Sequence, residues 1–337
     1  MSQELKKDRI EKFAVSLSTN RLKLTIMPTE KCNFRCFYCY GDYEHGAMLE
    51  ETVAAIKKLL NHRVINLKML NIEWFGGEPT LAEPIVVDIS NHIQDLLRTY
   101  PNIIYTAAMT TNGYLLDEKL LTKFCSLNIK HYQISLDGTP ENHNQTRRLA
   151  NGSVTFDKIW NNLLAAKATN LDFSIILRIH FFLDNYTEIV PLVQEINDTF
   201  LIDKRFKIYF KAIQHLGGKN DTNIKSILPE DEIKIKNYLK QFVTEKQQVF
   251  DVDLSKFACY ASETNAMVIR ANGDISKCTV ALNEPYNKVG KINSDGTLSI
   301  DSKKFLAWSK GFKNWEIKDL NCPNLYMMKE YQGLLNT

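Results

Sequence analysis

Short apolar segments rich in β-branched residues alternate with segments of helical periodicity from residue 23 to about residue 250, and this alternation constrains the fold most strongly. The predicted strands are Lys23–Met27, Asn71–Phe75, Ile103–Thr110, His131–Ser135, Ser174–Phe181 and Phe206–Lys211. The predicted helices are Glu50–His62, Ile85–Thr99, Asp117–Leu127, Thr155–Thr169, Tyr186–Phe200 and Glu230–Thr244. Six strand-then-helix units predict an α/β fold with parallel strands joined by helical crossovers.

The alternation ends near residue 250, where the pattern changes to short strands and tight turns. The sequence predicts two hairpins, Met267–Arg270 with Asp274–Cys278 and Val289–Ile292 with Thr297–Ile300. The first turn contains Asn272-Gly273, a pair that suits the positive φ angles of a tight hairpin. We therefore divide the chain into an N-terminal segment (residues 1–21), an α/β body (22–250) and a small α+β extension (251–337).

Charge and hydropathy exclude several classes of protein. The 337 residues include 42 Lys and Arg against 39 Asp and Glu, and the resulting net charge of +3 predicts neither a nucleic-acid nor a membrane partner. The first nine residues carry too many charges for a signal peptide. No apolar run reaches the roughly 18–20 residues that a bilayer requires. We expect a soluble, cytoplasmic protein.

Three of the seven cysteines, Cys32, Cys36 and Cys39, lie close together directly after the first predicted strand. Parallel α/β folds place their chemistry at this end of the strands. In a reducing compartment, clustered thiols favour metal ligation over disulfides. A structural zinc site needs a fourth ligand, for which His45 is the nearest candidate. An iron–sulfur cube held by three cysteines instead leaves one iron open for another ligand.

The Cys-x3-Cys-x2-Cys spacing, with Tyr38 before the last cysteine, resembles the signature of the radical S-adenosylmethionine (SAM) superfamily. Three more matching segments end or follow the next three strands: Gly76-Gly77-Glu78-Pro79, Thr111-Asn112-Gly113 and Ser135-Leu136-Asp137-Gly138. The resemblance spans about residues 22–215, and four motifs on four successive strand ends make it specific. It implies a partial (β/α)6 TIM-like barrel.

The resemblance implies a role for each matching residue. Cys32, Cys36 and Cys39 hold a [4Fe-4S] cluster whose open iron binds the amino and carboxylate groups of SAM. Tyr38 lies near the adenine, and the glycines of the Gly76–Pro79 motif let the backbone approach the ligand. Glu78 accepts a hydrogen bond from the methionine ammonium, and Ser135 meets the ribose or carboxylate. Further candidates for cofactor binding are Asn112, Asp137 and Arg178, although Arg178 equally suits pairing with a structural carboxylate.

Three cysteines remain for the extension, where Cys259-x13-Gly273-x4-Cys278 resembles the opening of a SPASM or twitch domain. The four-cysteine run that completes a SPASM domain is reduced here to Cys322, which excludes two complete four-cysteine clusters. Two interpretations stay open. The three cysteines hold one auxiliary cluster with an open iron, or they are buried thiols that pack as small hydrophobes. Cys125, on a predicted helix, is expected to pack in the core.

The resemblance implies reductive cleavage of SAM to a 5′-deoxyadenosyl radical, which abstracts hydrogen from a ribosomally made precursor peptide. The expected product is a crosslink, a thioether or an epimerised residue. The expected partners are the peptide and a flavodoxin- or ferredoxin-type electron donor. Since only residues 1–21 precede the body, leader-peptide binding needs a separate leader-peptide-binding protein or direct contact with the barrel. His143 and Arg147 are expected to line the substrate entrance.

Three alternatives remain. In sulfatase maturation the residue after the second extension cysteine is a catalytic aspartate, whereas this chain has Thr279. A small-molecule radical SAM enzyme is favoured if an open auxiliary iron binds substrate. A non-catalytic iron–sulfur protein has no use for the Gly76–Pro79 motif.

Overall fold

The computed structural model describes residues 15–218, 221–225, 227–251, 258–315 and 317–335. The strands of this part are β1 (Arg21–Ile26), β2 (Met69–Trp74), β3 (Ile104–Thr111), β4 (Ile129–Leu136), β5 (Ser174–Phe181), β6 (Phe206–Ala212), β7 (Ala266–Ile269), β8 (Asp274–Ser276), β9 (Lys288–Ile292) and β10 (Leu298–Ile300). Its helices are α1 (Glu50–Val64), α2 (Glu83–Thr99), α3 (Glu118–Ser126), α4 (Pro140–Thr146), α5 (Phe156–Ala168), α6 (Val190–Ile196), α7 (Pro229–Gln241), α8 (Ser302–Trp308), α9 (Gly311–Asn314), α10 (Ile317–Asn321) and α11 (Pro323–Leu335).

All ten strands belong to one sheet with the order β10-β9-β8-β7-β1-β2-β3-β4-β5-β6. Strands β1 to β6 are parallel and each lies beside the next one in the chain. Consecutive parallel strands joined by helices are the arrangement of a (β/α) barrel. The predicted α/β class, a partial TIM-like barrel, is confirmed.

The two faces of the parallel strands differ in burial. In β5, Ile175, Leu177 and Ile179 are fully buried, whereas Arg178 between them is only partly covered. These buried side chains belong to one hydrophobic core, together with Ile159 of α5 and the buried apolar residues of other helices. The opposite face carries polar side chains, and it opens into a cavity instead of being filled. The cavity on this polar face leaves room for ligands.

The predicted helix Tyr186–Phe200 is partly wrong. The α-helix covers only Val190–Ile196, and a π-helical turn, Asn197–Leu201, follows it. Pro191 lacks a backbone N–H and therefore suits the first turn, which fixes the helix start near it. The short helix α4 was not predicted. The other predicted elements of the body appear with boundaries shifted by at most a few residues.

Both predicted hairpins of the extension are present. β7 pairs antiparallel with β8 and β9 pairs antiparallel with β10. The extension is nevertheless no separate sheet, because β7 pairs in parallel with β1 and β8 pairs with β9. The sheet therefore runs from the body into the extension. Throughout the part of the chain that the structure describes, each helix is too short or too polar to cross a bilayer.

Candidate functional site

A cavity of about 420 Å³ lies at the carboxyl ends of the parallel strands. The cysteine loop forms one wall and the residues after β2 and β3 form a second. Residues of β5 and β6 form a third, and Tyr260 with residues 279, 280, 282 and 283 of the extension forms the last. The cavity is thus bounded by the body and the extension together.

The three cysteines of the loop face this cavity as free thiols. The Phe34 N–H donates to the Cys32 sulfur at 3.3 Å. Burial raises the pKa of Cys32 to about 11 and that of Cys36 to about 12. Since only thiolates ligate metals, a bound cluster would displace these protons and supply the compensating charge. Three thiols sharing one cavity wall fit the predicted cluster.

The single-ion zinc alternative has no geometric support. Among the residues that the structure describes, no three His, Cys, Asp or Glu side chains gather around a point where one metal ion would sit. His45, the suggested fourth ligand, lies with Nε2 3.1 Å from the side-chain amide of Asn272. A four-iron cube spreads its ligands over separate irons and does not need them to converge on one point.

Gly76 and Gly77 line the cavity, but their missing side chains face the cysteine loop. A Cβ atom at Gly76 would overlap the carbonyl of Thr29, and one at Gly77 would overlap that of Lys31. Gly76 also has φ 130°, which favours glycine. The sequence predicts that these glycines let the backbone approach the ligand. The structure shows that they also let the turn after β2 pack against the segment leading to Cys32.

Glu78 lies behind the cavity wall. Its carboxylate accepts hydrogen bonds from the Thr80 amide and hydroxyl, from the Thr111 hydroxyl at 2.7 Å and from the Asn112 amide at 2.7 Å. Glu78 is fully buried, and burial raises its pKa against the effect of these donors. It therefore ties the turn after β2 to the end of β3, and it positions Asn112, which does face the cavity. Pro79, also buried, begins the short 3-10 turn after Glu78.

Tyr38 and Asp137 meet in a buried polar network. The Tyr38 hydroxyl donates to Asp137 at 2.9 Å and accepts from Arg147 at 2.7 Å. His180 Nδ1 lies 3.0 Å from the same Asp137 oxygen. The Arg147 and His180 contacts hold the pKa of Asp137 well below its usual range despite burial. Tyr38 faces the cavity, whereas Asp137 and the predicted ligand Ser135 do not line it.

The network also corrects the expected substrate entrance. His143 is fully buried, and its Nε2 lies 3.1 Å from the Thr155 hydroxyl, so it cannot line an entrance. Arg147 is buried as well, but it reaches the cavity beside Cys36. Sequence reasoning missed His180. Its position two residues after Arg178 on one strand, and hence on the same face, was the available signal.

Arg178 and Lys211 place two cations on the β5–β6 wall of the cavity. Within the described residues no hydrogen bond or ion pair engages the Arg178 guanidinium, and its Nε is buried without a partner. The pairing with a structural carboxylate is therefore not seen there. Burial and Arg178 lower the pKa of Lys211, against a raising effect of Glu232.

The extension cysteines come together from three separate segments. The Cys259 N–H donates to the Leu320 carbonyl at 2.8 Å, which joins the first segment to the one that carries Cys322. Burial raises the pKa of Cys259 to about 12, and the thiols of Cys278 and Cys322 are close enough to raise it further. The Val280 N–H donates to the Cys278 sulfur at 3.4 Å, as the Phe34 N–H does to Cys32.

Two fully buried polar side chains hold the segment around Cys278. Asn287 accepts from the amides of Lys277 and Cys278 and donates to the carbonyls of Cys278 and Ala281, all within 3.0 Å. Lys277 donates to the carbonyls of Glu263 and Ala266 at 2.6 and 2.7 Å, and burial lowers its pKa to about 7. These bonds join the Cys278 segment to the chain that follows Cys259.

Residues 26–196 match the Radical SAM superfamily, and the chain belongs to this superfamily. It is therefore an enzyme that uses a [4Fe-4S] cluster and SAM. The fold resembles anSMEcpe with bound AdoMet and Cp18Cys peptide, with a TM-score of 0.62 and 23% identity over 85% of this chain and 80% of that one. It also resembles Streptococcus suis SuiB bound to precursor peptide SuiA, with a TM-score of 0.60 and 16% identity over 86% and 66% of the two chains.

Sequence relatives have several activities. An uncharacterized protein of Methanocaldococcus jannaschii is 24% identical over 83% of this chain and 92% of its own length. A GTP 3',8-cyclase of Microcystis aeruginosa is 24% identical over 80% of this chain and 83% of its own. A cysteine-type anaerobic sulfatase-maturating enzyme of Clostridium perfringens is 30% identical, but over only 46% of this chain and 43% of its own.

Proposed function

We propose that this radical SAM enzyme modifies a ribosomally made precursor peptide and leaves a crosslink, a thioether or an epimerised residue. The size and position of the cavity carry the proposal. At about 420 Å³ it lies near the lower end of small-molecule sites. The cofactor and the substrate must share this space, and a peptide can insert one side chain while the rest of its chain stays outside. Two proteins of similar fold, anSMEcpe and SuiB, have bound peptides.

Cys32, Cys36 and Cys39 would hold the cluster, with SAM on its open iron. When bound, SAM and the cluster would supply a 5′-deoxyadenosyl radical able to take a hydrogen atom from the peptide. Asn112, Tyr38 and Arg178 face the cavity and would orient the cofactor. Apolar side chains such as Phe75 and Val280 line the same space and would exclude water from it.

We further propose that Cys259, Cys278 and Cys322 hold an auxiliary cluster with one open iron. The three thiols lie near one another, and two of them accept backbone N–H groups as Cys32 does. Hydrogen bonds to the sulfurs are a regular means of tuning iron–sulfur clusters. The proposed external partners are a flavodoxin- or ferredoxin-type electron donor and a separate protein that binds the leader peptide.

A small-molecule substrate is the second candidate function. It is favoured by the GTP 3',8-cyclase relatives, which align with most of this chain. The cations Arg178 and Lys211 on one cavity wall would suit an anionic substrate.

The decisive experiment uses anaerobically reconstituted protein, SAM, dithionite and synthetic peptides encoded by short reading frames beside the gene. The proposal predicts formation of 5′-deoxyadenosine together with loss of two hydrogen masses from one peptide, or deuterium uptake from D2O on epimerisation. The Cys32/Cys36/Cys39 triple alanine variant is the control and should give neither. Consumption of GTP with no change in any peptide would refute the peptide assignment.

A further inference from the structure

Arg270 directly follows β7, yet its side chain reaches from the extension to the cysteine loop of the body. Its Nε and Nη2 atoms donate to the two carboxylate oxygens of Glu30 at 3.0 and 2.6 Å. Its Nη1 atom donates to the Leu282 carbonyl at 2.8 Å. The side chains of Arg270 and Glu30 are 9% and 4% exposed, so this bidentate pair is shielded from water.

The two partners belong to two different walls of the cavity, which meet at Arg270. Glu30 faces the cavity and lies two positions before Cys32, in the segment against which Gly77 packs. Leu282 faces the cavity from the segment that follows Cys278. One guanidinium thus joins the segment before the first cysteine of the loop to the segment after the second cysteine of the extension.

The backbone of Arg270 is itself fixed. Its N–H donates to the Asp274 carbonyl at 2.9 Å, and its carbonyl accepts from Gly273 at 2.9 Å, which closes the hairpin between β7 and β8. β7 in turn pairs along β1, whose last residue lies just before the cysteine loop. The guanidinium therefore extends from a rigid sheet to two irregular segments.

We propose that Arg270 is a positioning residue that sets the placement of the cysteine loop relative to the Cys278 segment, so that SAM binding at the cluster depends on the extension. A planar guanidinium that binds both carboxylate oxygens fixes orientation as well as distance. A lysine keeps the positive charge but carries a single nitrogen, so it cannot bind both carboxylate oxygens in one fixed plane. The third hydrogen bond, to the Leu282 carbonyl, fixes the wall that the extension forms relative to the same guanidinium.

The test is Arg270→Lys in the anaerobically reconstituted protein. We expect an iron content equal to wild type, a weakening of SAM affinity by about tenfold, the size expected for the loss of one charge-assisted hydrogen bond, and a smaller SAM-induced change in the EPR spectrum of the reduced cluster. SAM affinity is measured by equilibrium binding without turnover, so neither readout needs a substrate.

Arg205→Lys is the matched control. Arg205 also binds a carboxylate through two nitrogens, that of Asp203, and donates to the carbonyls of Lys167, Thr169 and Leu171. It lies next to the start of β6, at the opposite end of the strands from the cavity. Arg205→Lys should lower the melting temperature while leaving SAM affinity and the EPR spectrum unchanged.

A double variant distinguishes a loss of SAM affinity from a failure to fold. Arg270→Gln with Glu30→Gln removes both buried charges together and leaves neither unpaired. We expect it to fold and to show the same loss of SAM affinity as Arg270→Lys. If both Arg270 variants bind SAM and respond in EPR as wild type does, with only a lower melting temperature, Arg270 has a purely structural role and the proposal is wrong.

Discussion

The two groups of cysteines are built in opposite ways. Cys32, Cys36 and Cys39 occupy one short loop, and that loop is pinned to a neighbouring segment by the Arg35 and Phe37 amides, which donate to the carbonyls of Arg148 and Thr146 at 2.8 Å. Cys259, Cys278 and Cys322 come from segments far apart in the chain. They depend on buried side chains such as Asn287 for their placement.

This contrast between the two groups of cysteines shows where in the chain the spacing of the ligands is encoded. In the loop, the separation of the cysteines along the sequence already limits their separation in space. In the extension, no local spacing does so, and hydrogen bonds between segments supply the constraint. Damage to the first group should therefore come from the cysteines themselves. The second group should be equally sensitive to side chains, such as that of Asn287, that hold the backbone of a cysteine without being ligands themselves.

The largest effect is expected at the loop. Cys32→Ala, Cys36→Ala or Cys39→Ala should abolish 5′-deoxyadenosine formation under anaerobic reduction, because each removes one ligand of the SAM cluster. Product is quantified by chromatography. Cys125→Ala is the control, since Cys125 is a buried residue of α3 outside the cavity. Normal SAM cleavage in the triple variant would contradict the site assignment.

The second prediction tests the extension with a substitution that leaves every cysteine in place. Asn287→Ala removes four hydrogen bonds and leaves buried backbone groups unpaired, each at a cost of about 1–3 kcal/mol. With about four irons per cube, reconstituted wild type should carry about eight, and Asn287→Ala should carry about four, as should Cys278→Ala.

Asn197→Ala is the control for the iron count. Asn197 is a buried asparagine that donates to the Phe242 carbonyl and accepts from the Thr244 amide, far from the cysteines in the chain. This variant should lose stability and keep all its iron. If wild type carries only four irons and Cys278→Ala is unchanged, the extension thiols are packed small hydrophobes, and redox-neutral chemistry such as epimerisation gains support over crosslinking.

Acid should lower the stability of the body more than that of the extension. Burial lowers the pKa of His180 to about 4 and that of His143 to about 3, whereas residues 258–337 contain no histidine. Between the unfolded value of about 6.5 and about pH 4, the unfolded chain binds more protons, so stability present above pH 6.5 is lost as the pH falls. The free energy of unfolding should drop by about 1.4 kcal/mol per pH unit for each histidine.

Denaturant titrations across this range check the pH dependence. His180→Gln should flatten it, whereas His62→Gln, on the exposed side of α1, should leave it unchanged. An unaltered slope in His180→Gln would show that this buried network does not control acid sensitivity.

The smallest effect concerns Thr279, whose hydroxyl lies 2.9 Å from the Tyr260 hydroxyl at the cavity wall. A sulfatase-type Cys or Ser peptide should yield no formylglycine, because a threonine cannot take the proton that an aspartate would take there. Mass spectrometry of the peptide is the measurement. A mass change that matches formylglycine would overturn this expectation and would bring the extension closer to that of the sulfatase-maturating relative.

Sequence alone predicted the six parallel strands and the cysteine loop, since both follow from local periodicity and spacing. It could not place Glu78, because the donors that surround it include Thr111 and Asn112 of another strand end. Asp137 likewise sits on a matching motif, but its carboxylate is engaged by Tyr38, Thr146 and His180. A motif specifies backbone position well. The direction of a side chain depends on partners elsewhere in the chain.

The pairing of β7 with β1 also has consequences for how the chain folds. Lys23 pairs with Ala266, so the edge of β1 that faces away from β2 stays open until almost the whole chain has been synthesised. An open strand edge is a template for association with other chains, and closing so long a loop is slow. We therefore expect truncation before residue 258 to produce aggregation, even though the whole superfamily match would be retained.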